Sequence, residues 1–232
     1  MKPRRIALGP DAGGWLPTPQ TTPSPDKGRA GEGFRFSQGN TDAALCTRQE
    51  PNPPGPPYQG GDPRHHLRHW LQEPASLTAR ILRHAPPGAA FSVKVLAQHL
   101  ARPLRDEAAL IGGPPRELAL ARDVVLHLGD RPVVYAHTVV HRDHARTPWH
   151  WLSGIGQRPL GGVLFTHPEV TPGPHHYRLL DVRHPLHRQA APWCGTMQPR
   201  QLPARRAVFS LRGSPLLVTE VFLPALFELC PP

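Results

Sequence analysis

Two stretches of this chain have the pattern of long β-hairpins, and they constrain the fold more than any other feature. Residues 116–140 and 205–224 each contain two runs rich in Val and Leu, separated by the turns "GDRP" and "RGSP". Gly129 and Gly213 give these turns the backbone freedom that tight connections require. Consecutive strands joined in this way pair antiparallel, so we predict an antiparallel sheet.

The rest of the folded region alternates short helical and strand patterns. Further strands are predicted in "FSVKVLA" (91–97) and "HHYRLLDV" (175–182). Helices are predicted at 62–74, at 76–85 with Ser76 as the cap, and as one or two short pieces within 148–165. Helices followed by antiparallel strands are typical of an α+β domain, and we expect a single domain of that class.

The first quarter of the chain has a different composition. Many of the 32 Pro and 21 Gly residues lie in residues 1–62, where almost no periodic apolar pattern is present. Such a segment cannot bury enough surface to offset its ordering entropy. We therefore expect residues 1–62 to form a disordered Pro/Gly-rich extension and residues 63–232 to form the catalytic domain. A chain that starts near Asp62 should then fold and keep its activity.

Composition also limits the partners and the cellular location. The net charge of +10 favours anionic ligands, but no basic helix with interleaved aromatic residues is present, so we expect no nucleic-acid partner. No run approaches the roughly 18 apolar residues of a membrane span, so stable membrane insertion is not expected. The cysteines Cys46, Cys194 and Cys230 are odd in number and widely spaced. This pattern favours a reducing cytoplasm over a disulfide framework or a zinc site. The histidine pairs at 65–66, 141 and 144, 175–176, and 184 and 187 are expected to be solvated surface residues.

Two charged residues stand on otherwise apolar strand faces. Side chains alternate across a strand, so Arg122 shares a face with Leu120 and Val124, and Glu220 shares one with Val218 and Phe222. An unpaired charge in an apolar interior costs several kcal/mol. Two explanations follow. Either Arg122 and Glu220 form a buried salt bridge that only fixes the strand register, or the two are separated and a ligand lies between them.

Six segments in order resemble the chorismate lyase (chorismate pyruvate-lyase) family over residues 63–225. They are "SLTAR" (76–80), "ARDVVL" (121–126), "AHTVV" (136–140), "LSGIGQRPLGGVLF" (152–165), "ARRAVF" (204–209) and "PLLVTEVFLP" (215–224). The resemblance implies an antiparallel sheet flanked by helices and a monomeric enzyme without a cofactor or metal. It also implies that chorismate is converted to 4-hydroxybenzoate and pyruvate for ubiquinone biosynthesis, in a product pocket sealed from solvent.

The resemblance also implies roles for four residues. Arg122 would bind the ring carboxylate of chorismate and Glu220 its C4 hydroxyl, and these two form the expected catalytic pair. Leu160 and Leu77 would be apolar pocket contacts.

Two further arginines and two departures from the family pattern also bear on the site. Arg205 or Arg206 is a candidate for the pyruvyl carboxylate, although arginines at a strand start are more often exposed. His137 stands where the family has Arg, near the active region, and Ala207 stands where it has Ser.

The expected reaction is driven from within the substrate, because loss of the C4 hydrogen and of the enolpyruvyl group makes the ring aromatic. The protein then has to position chorismate and stabilise developing charge. Glu220 acting as a base and hydrogen transfer within the substrate both remain open.

One alternative is a non-catalytic small-acid-sensing module of the same fold, as in effector domains of transcription regulators. Residues 1–62 are too rich in Pro and Gly to supply the helix-turn-helix segment that such a regulator needs.

Overall fold

The computed structural model describes residues 14–17, 70–71, 76–114 and 116–229. All of them belong to one unit of the chain, which spans residues 1–18 and 62–232. In chain order the strands are β1 Leu16–Pro17, β2 Phe91–Ala101, β3 Ala119–Leu128, β4 Arg131–His141, β5 Val170–Pro172, β6 His176–Asp181, β7 Gln201–Leu211 and β8 Ser214–Phe222.

Short helices connect these strands. The α-helices are α1 Leu77–Arg83, α2 Arg142–Arg146, α3 Leu160–Thr166 and α4 Pro185–Ala190, and 3-10 helices span His150–Gly154, Ala191–Trp193 and Pro224–Glu228. The predicted cap of α1 is confirmed, since the Ser76 hydroxyl accepts a hydrogen bond from the Ala79 amide at 3.4 Å. Trp70 and Leu71 are helical, whereas the rest of the helix predicted at 62–74 lies outside the described residues.

All eight strands form one antiparallel sheet in the order β1-β6-β7-β8-β4-β3-β2, with β5 paired to β7. The two predicted hairpins, β3–β4 and β7–β8, lie at its centre, and helices cover it. The predicted α+β class with an antiparallel sheet flanked by helices is therefore confirmed. Among the described residues, no helix is long and apolar enough to span a membrane.

The turn between β7 and β8 sets the register of the later hairpin. Arg212 and Gly213 form a two-residue connection with φ of 51° and 79°. Positive φ at both positions is typical of a type I′ turn, whose twist matches that of the flanking strands. Leu211 therefore lies opposite Ser214, and six residues further from the turn Arg205 lies opposite Glu220.

A bulge changes the register of the earlier hairpin. Pairing between β3 and β4 shifts between Leu126 and His127, beside Pro132. Pro has no amide hydrogen for the ladder, and inside a sheet it is tolerated at such irregularities. Because of the shift, Arg122 lies opposite Thr138.

The sheet has an apolar core on each face. On the face called here the pocket face, α1, α3 and the 3-10 helix His150–Gly154 bury Ile81, Trp149 and Leu152 against the strands. On the opposite face, called here the far face, α4 packs Leu186 and Ala190 against β3, β4 and β6. Both faces are thus protected from water, which permits charged groups inside the domain only where they are paired or bind a ligand.

Residues 14–17 depart from the expectation of a disordered extension. Leu16 and Pro17 pair with β6, and Trp15 is only 4% exposed in the far-face core. The Trp15 indole donates to Asp106 at 3.2 Å, and its ring lies 4.3 Å from the guanidinium carbon of Arg206. The prediction from composition is wrong for these four residues, because one Trp can bury a large apolar area without any periodic pattern. The remainder of residues 1–62 lies outside the described residues.

Candidate active site

Two adjacent rows of side chains on the pocket face form the floor of a pocket. The strands β3, β4, β8 and β7 contribute one residue each to both rows. The first row is Arg122, Thr138, Val218 and Ala207, and the second is Val124, Ala136, Glu220 and Arg205. Successive residues on one face of a strand are about 7 Å apart, and neighbouring strands about 4.8 Å apart.

Helices and a loop form the walls of this pocket. Leu77 at the start of α1 and Leu160 at the start of α3 both line it, as does His175 from the segment that precedes β6. Leu77 is 2% exposed and Leu160 is 7% exposed. Because these two leucines are buried, they exclude water from their side of the pocket, and a polar contact with a ligand there would be strong.

Arg122 is a buried cation without a carboxylate partner among the described residues. It is 1% exposed, and its Nη2 donates to the carbonyl oxygen of Gly156 at 2.8 Å. Its Nε makes no hydrogen bond, and burial lowers the pKa of the guanidinium. A guanidinium in this environment favours an anionic ligand, above all a carboxylate that matches its planar fork.

Glu220 pairs with Arg205 rather than with Arg122. The Arg205 Nε donates to Glu220 Oε2 at 2.5 Å, and the two side chains are 1% and 19% exposed. The proposed Arg122–Glu220 salt bridge does not form, because β4 lies between their strands and separates them by about 10 Å sideways. The geometry therefore supports the second explanation, in which Arg122 and Glu220 are separated and a ligand lies between them.

The expectation that Arg205 and Arg206 are exposed is wrong, since both are about 98–99% buried. Alternation along β7 sends them to opposite faces. Arg205 lines the pocket, whereas Arg206 lies on the far face and donates to Asp106 at 3.0 Å.

His137 also lies on the far face and is 7% exposed. Its chain neighbours Ala136 and Thr138 line the pocket, whereas the side chain of His137 lies on the other face of the sheet. Its Nδ1 lies 2.6 Å from Asp123 and its Nε2 lies 3.4 Å from Glu107. Burial opposes the charged imidazolium, but the hydrogen bonds to these carboxylates outweigh it and raise the pKa of His137 to about 10. The Tyr135 hydroxyl donates to Asp123 at 2.5 Å and completes the network.

His175 is a pocket residue that sequence reasoning assigned to the solvated surface. Burial and the nearby charge of Arg205 lower its pKa to about 4, so the imidazole is neutral at neutral pH. Its position in the pocket depends on the path of the segment that connects β5 to β6, and no local sequence pattern predicts that path. Among the described residues, no group of three or more His, Cys, Asp or Glu could hold a metal ion.

Comparison with known proteins identifies the family. The sequence model of the family described as "Chorismate lyase" matches residues 62–230 of this chain. The chain belongs to the chorismate lyase family. All four residues predicted from the resemblance, Arg122, Glu220, Leu77 and Leu160, line the one pocket described above.

Curated relatives support the family assignment over most of their length. A protein of Nitrosospira multiformis named "Probable chorismate pyruvate-lyase" is 46% identical over 164 residues, which cover 70% of this chain and 88% of the relative. A protein of Ralstonia nicotianae with the same name is 43% identical, covering 77% of this chain and 94% of the relative. Among solved structures, the C-terminal domain of the histidine utilization repressor from Pseudomonas syringae aligns with a TM-score of 0.44 and 12% identity, covering 59% of this chain and 93% of that one.

Proposed function

We propose that this chain is a chorismate pyruvate-lyase that converts chorismate to 4-hydroxybenzoate and pyruvate. The single observation that carries the proposal is Arg122, a buried cation at one end of a largely apolar pocket whose other end holds Glu220. The pocket therefore offers a carboxylate site and a hydroxyl site with apolar walls between them. Chorismate carries its ring carboxylate at C1 and its hydroxyl at C4, on opposite sides of the ring.

In the proposed complex, the C1 carboxylate accepts hydrogen bonds from Arg122, and the C4 hydroxyl donates to Glu220. The ring lies between Leu77 and Leu160, which exclude water. In the reaction the C4–H bond and the bond from C3 to the ether oxygen break. The ring becomes aromatic, and the enolpyruvyl fragment gains a proton at its methylene carbon to become pyruvate. Atoms and electrons balance without an added oxidant or reductant.

The protein contributes mainly position and charge in this scheme. Arg122 fixes the ring along the axis from β3 to β8, and Glu220 holds the hydroxyl so that the C4 hydrogen and the C3–O bond are aligned for elimination. Arg205 keeps Glu220 in a fixed position through the 2.5 Å contact.

The proposed function also includes a pathway, a cellular location and an oligomeric state for the enzyme. We infer from the family resemblance that the 4-hydroxybenzoate enters ubiquinone biosynthesis, and that the enzyme acts in the cytoplasm as a monomer. Residues 63–232 supply the catalytic site in this proposal, since the described residues that line the pocket all lie between Leu77 and Glu220. Size-exclusion chromatography with light scattering tests the monomer directly, because a dimer would elute at twice the chain mass of 25.6 kDa.

Activity is tested by incubating the purified full chain with chorismate. Pyruvate is followed through the oxidation of NADH by lactate dehydrogenase, and 4-hydroxybenzoate by chromatography. We expect equal amounts of both products from the wild type and a loss of at least about a hundredfold in Arg122→Met. Absence of both products with the folded wild type would refute the proposal.

A further inference from the structure

The pocket contains a second buried arginine at the end away from Arg122. The described residues that line the pocket include two arginines, Arg122 on β3 and Arg205 on β7. Two strands, β4 and β8, lie between them. His175 is beside Arg205 and is neutral at neutral pH, so it adds no charge at that end. The pocket therefore has two separate arginines, on strands about 14 Å apart across the sheet.

Chorismate has two carboxylates, and their positions on the molecule differ. The enolpyruvyl ether is attached at C3, next to the carbon that carries the hydroxyl. When Arg122 holds the C1 carboxylate and Glu220 holds the C4 hydroxyl, the C3 substituent leaves the ring at the Glu220 end. Its carboxylate can then lie beside Glu220, on the side away from Arg122.

Arg205 occupies that position. The strand order β3-β4-β8-β7 places it beyond Glu220 as seen from Arg122, directly opposite Glu220 on the neighbouring strand. A guanidinium has five N–H donors in a rigid fork, so it can bind a second carboxylate while Nε donates to Glu220. Arg206, the other candidate from the sequence, lies on the far face and cannot reach the pocket.

We propose that Arg205 binds the enolpyruvyl carboxylate of the substrate and thereby selects a dicarboxylate over a ring acid with a neutral C3 substituent. This proposal rests on the proposed function and deepens it. It also gives the pocket a simple way to distinguish substrate from product, since 4-hydroxybenzoate lacks the second carboxylate and leaves the Arg205 subsite without its ligand.

The test uses two stable ligands that differ only in the second carboxylate. They are 3-(carboxymethoxy)-4-hydroxybenzoate and 3-ethoxy-4-hydroxybenzoate, whose C3 groups have similar size. Their dissociation constants are measured by calorimetry on the full chain. We expect the wild type to bind the dicarboxylate at least about tenfold more tightly, as a charge-assisted contact requires.

Variants then assign the preference to one residue. Arg205→Met should reduce the ratio of the two dissociation constants to about one, and Arg205→Lys, which keeps the charge but not the fork, to below about threefold. Arg206→Met is the matched control, because it removes the adjacent arginine from the far face and should preserve the wild-type ratio. Should Arg205→Met fail to fold, Arg205→Lys alone decides the matter.

Failure of this inference differs from failure of the proposed function. A wild type that releases pyruvate from chorismate, but shows the same ratio as both Arg205 variants, would overturn the Arg205 subsite alone. The same holds for a wild type that binds both ligands equally. A folded wild type that releases no pyruvate would instead refute the proposed function.

Discussion

Replacing Arg122 by Met should stabilise the unliganded protein while it abolishes ligand binding. Arg122 is 1% exposed and donates to Gly156 at 2.8 Å, but it forms no ion pair with a described carboxylate. Its burial as a charged group costs several kcal/mol, whereas a hydrogen bond from a charged group contributes about 1.5–3 kcal/mol. Met fills a similar volume without charge, so we expect a net gain of about 1–3 kcal/mol in the free energy of unfolding.

Arg205→Met is the matched control for this substitution and should act in the opposite direction. It changes the same residue type on the same face of the sheet, but it removes the partner of Glu220. Breaking a buried pair costs about 3–5 kcal/mol. We expect about 3 kcal/mol here, at the lower end, because the Glu220 side chain is 19% exposed.

Thermal unfolding with and without 4-hydroxybenzoate measures both effects. In a domain of this size 1 kcal/mol shifts the melting temperature by about 2–4 °C. Ligand at a hundred times its dissociation constant should stabilise the wild type by about 2.7 kcal/mol, and it should leave Arg122→Met unchanged. A loss of about 3 kcal/mol or more in unliganded Arg122→Met would refute the reasoning, because it would show that Arg122 serves the fold.

Three further outcomes are expected. Glu220→Gln removes the carboxylate that accepts a hydrogen bond from the buried Arg205 Nε, so it should lower the unfolding free energy by about 3 kcal/mol. It should also lower the rate of pyruvate release per folded molecule by at least about tenfold, and normal turnover per folded molecule would remove Glu220 from the mechanism. The pKa of His137 is raised to about 10, so its contribution to stability is complete below its unfolded pKa of about 6.5 and is lost as the pH rises to 10. Chemical denaturation should show a loss of about 3–5 kcal/mol between pH 6.5 and 10 that is absent in His137→Gln, and equal slopes in both proteins would contradict this. Trp15→Ala should cost about 3–5 kcal/mol, whereas a neutral effect would restore the expectation that the first 62 residues are dispensable.

Part of the site could be predicted from the sequence because it depends on local rules. Strand alternation alone placed Arg122 and Glu220 on apolar faces, and the helix cap at Ser76 located the start of α1. The pairing of Arg205 with Glu220 could also be predicted from the sequence. A two-residue turn at Arg212 and Gly213 pairs them by counting six residues back on each strand.

Other features depend on tertiary structure that no local pattern encodes. The same counting fails in the hairpin β3–β4, because the bulge beside Pro132 shifts the register by one residue and places Arg122 opposite Thr138. The network around His137 needs a carboxylate, Glu107, from a loop outside the sheet. Trp15 reaches the core from a segment whose composition predicts disorder. In each case a distant contact outweighed the local preference.

The central claim is that Arg122 and Glu220 hold opposite ends of one ligand, and a crystal structure of the full chain with bound 4-hydroxybenzoate tests it most directly. The account predicts the ligand carboxylate within about 3 Å of the Arg122 guanidinium and the ligand hydroxyl within hydrogen-bond distance of Glu220. A product bound in the reverse orientation, with its carboxylate on Arg205, or bound on the far face would contradict it.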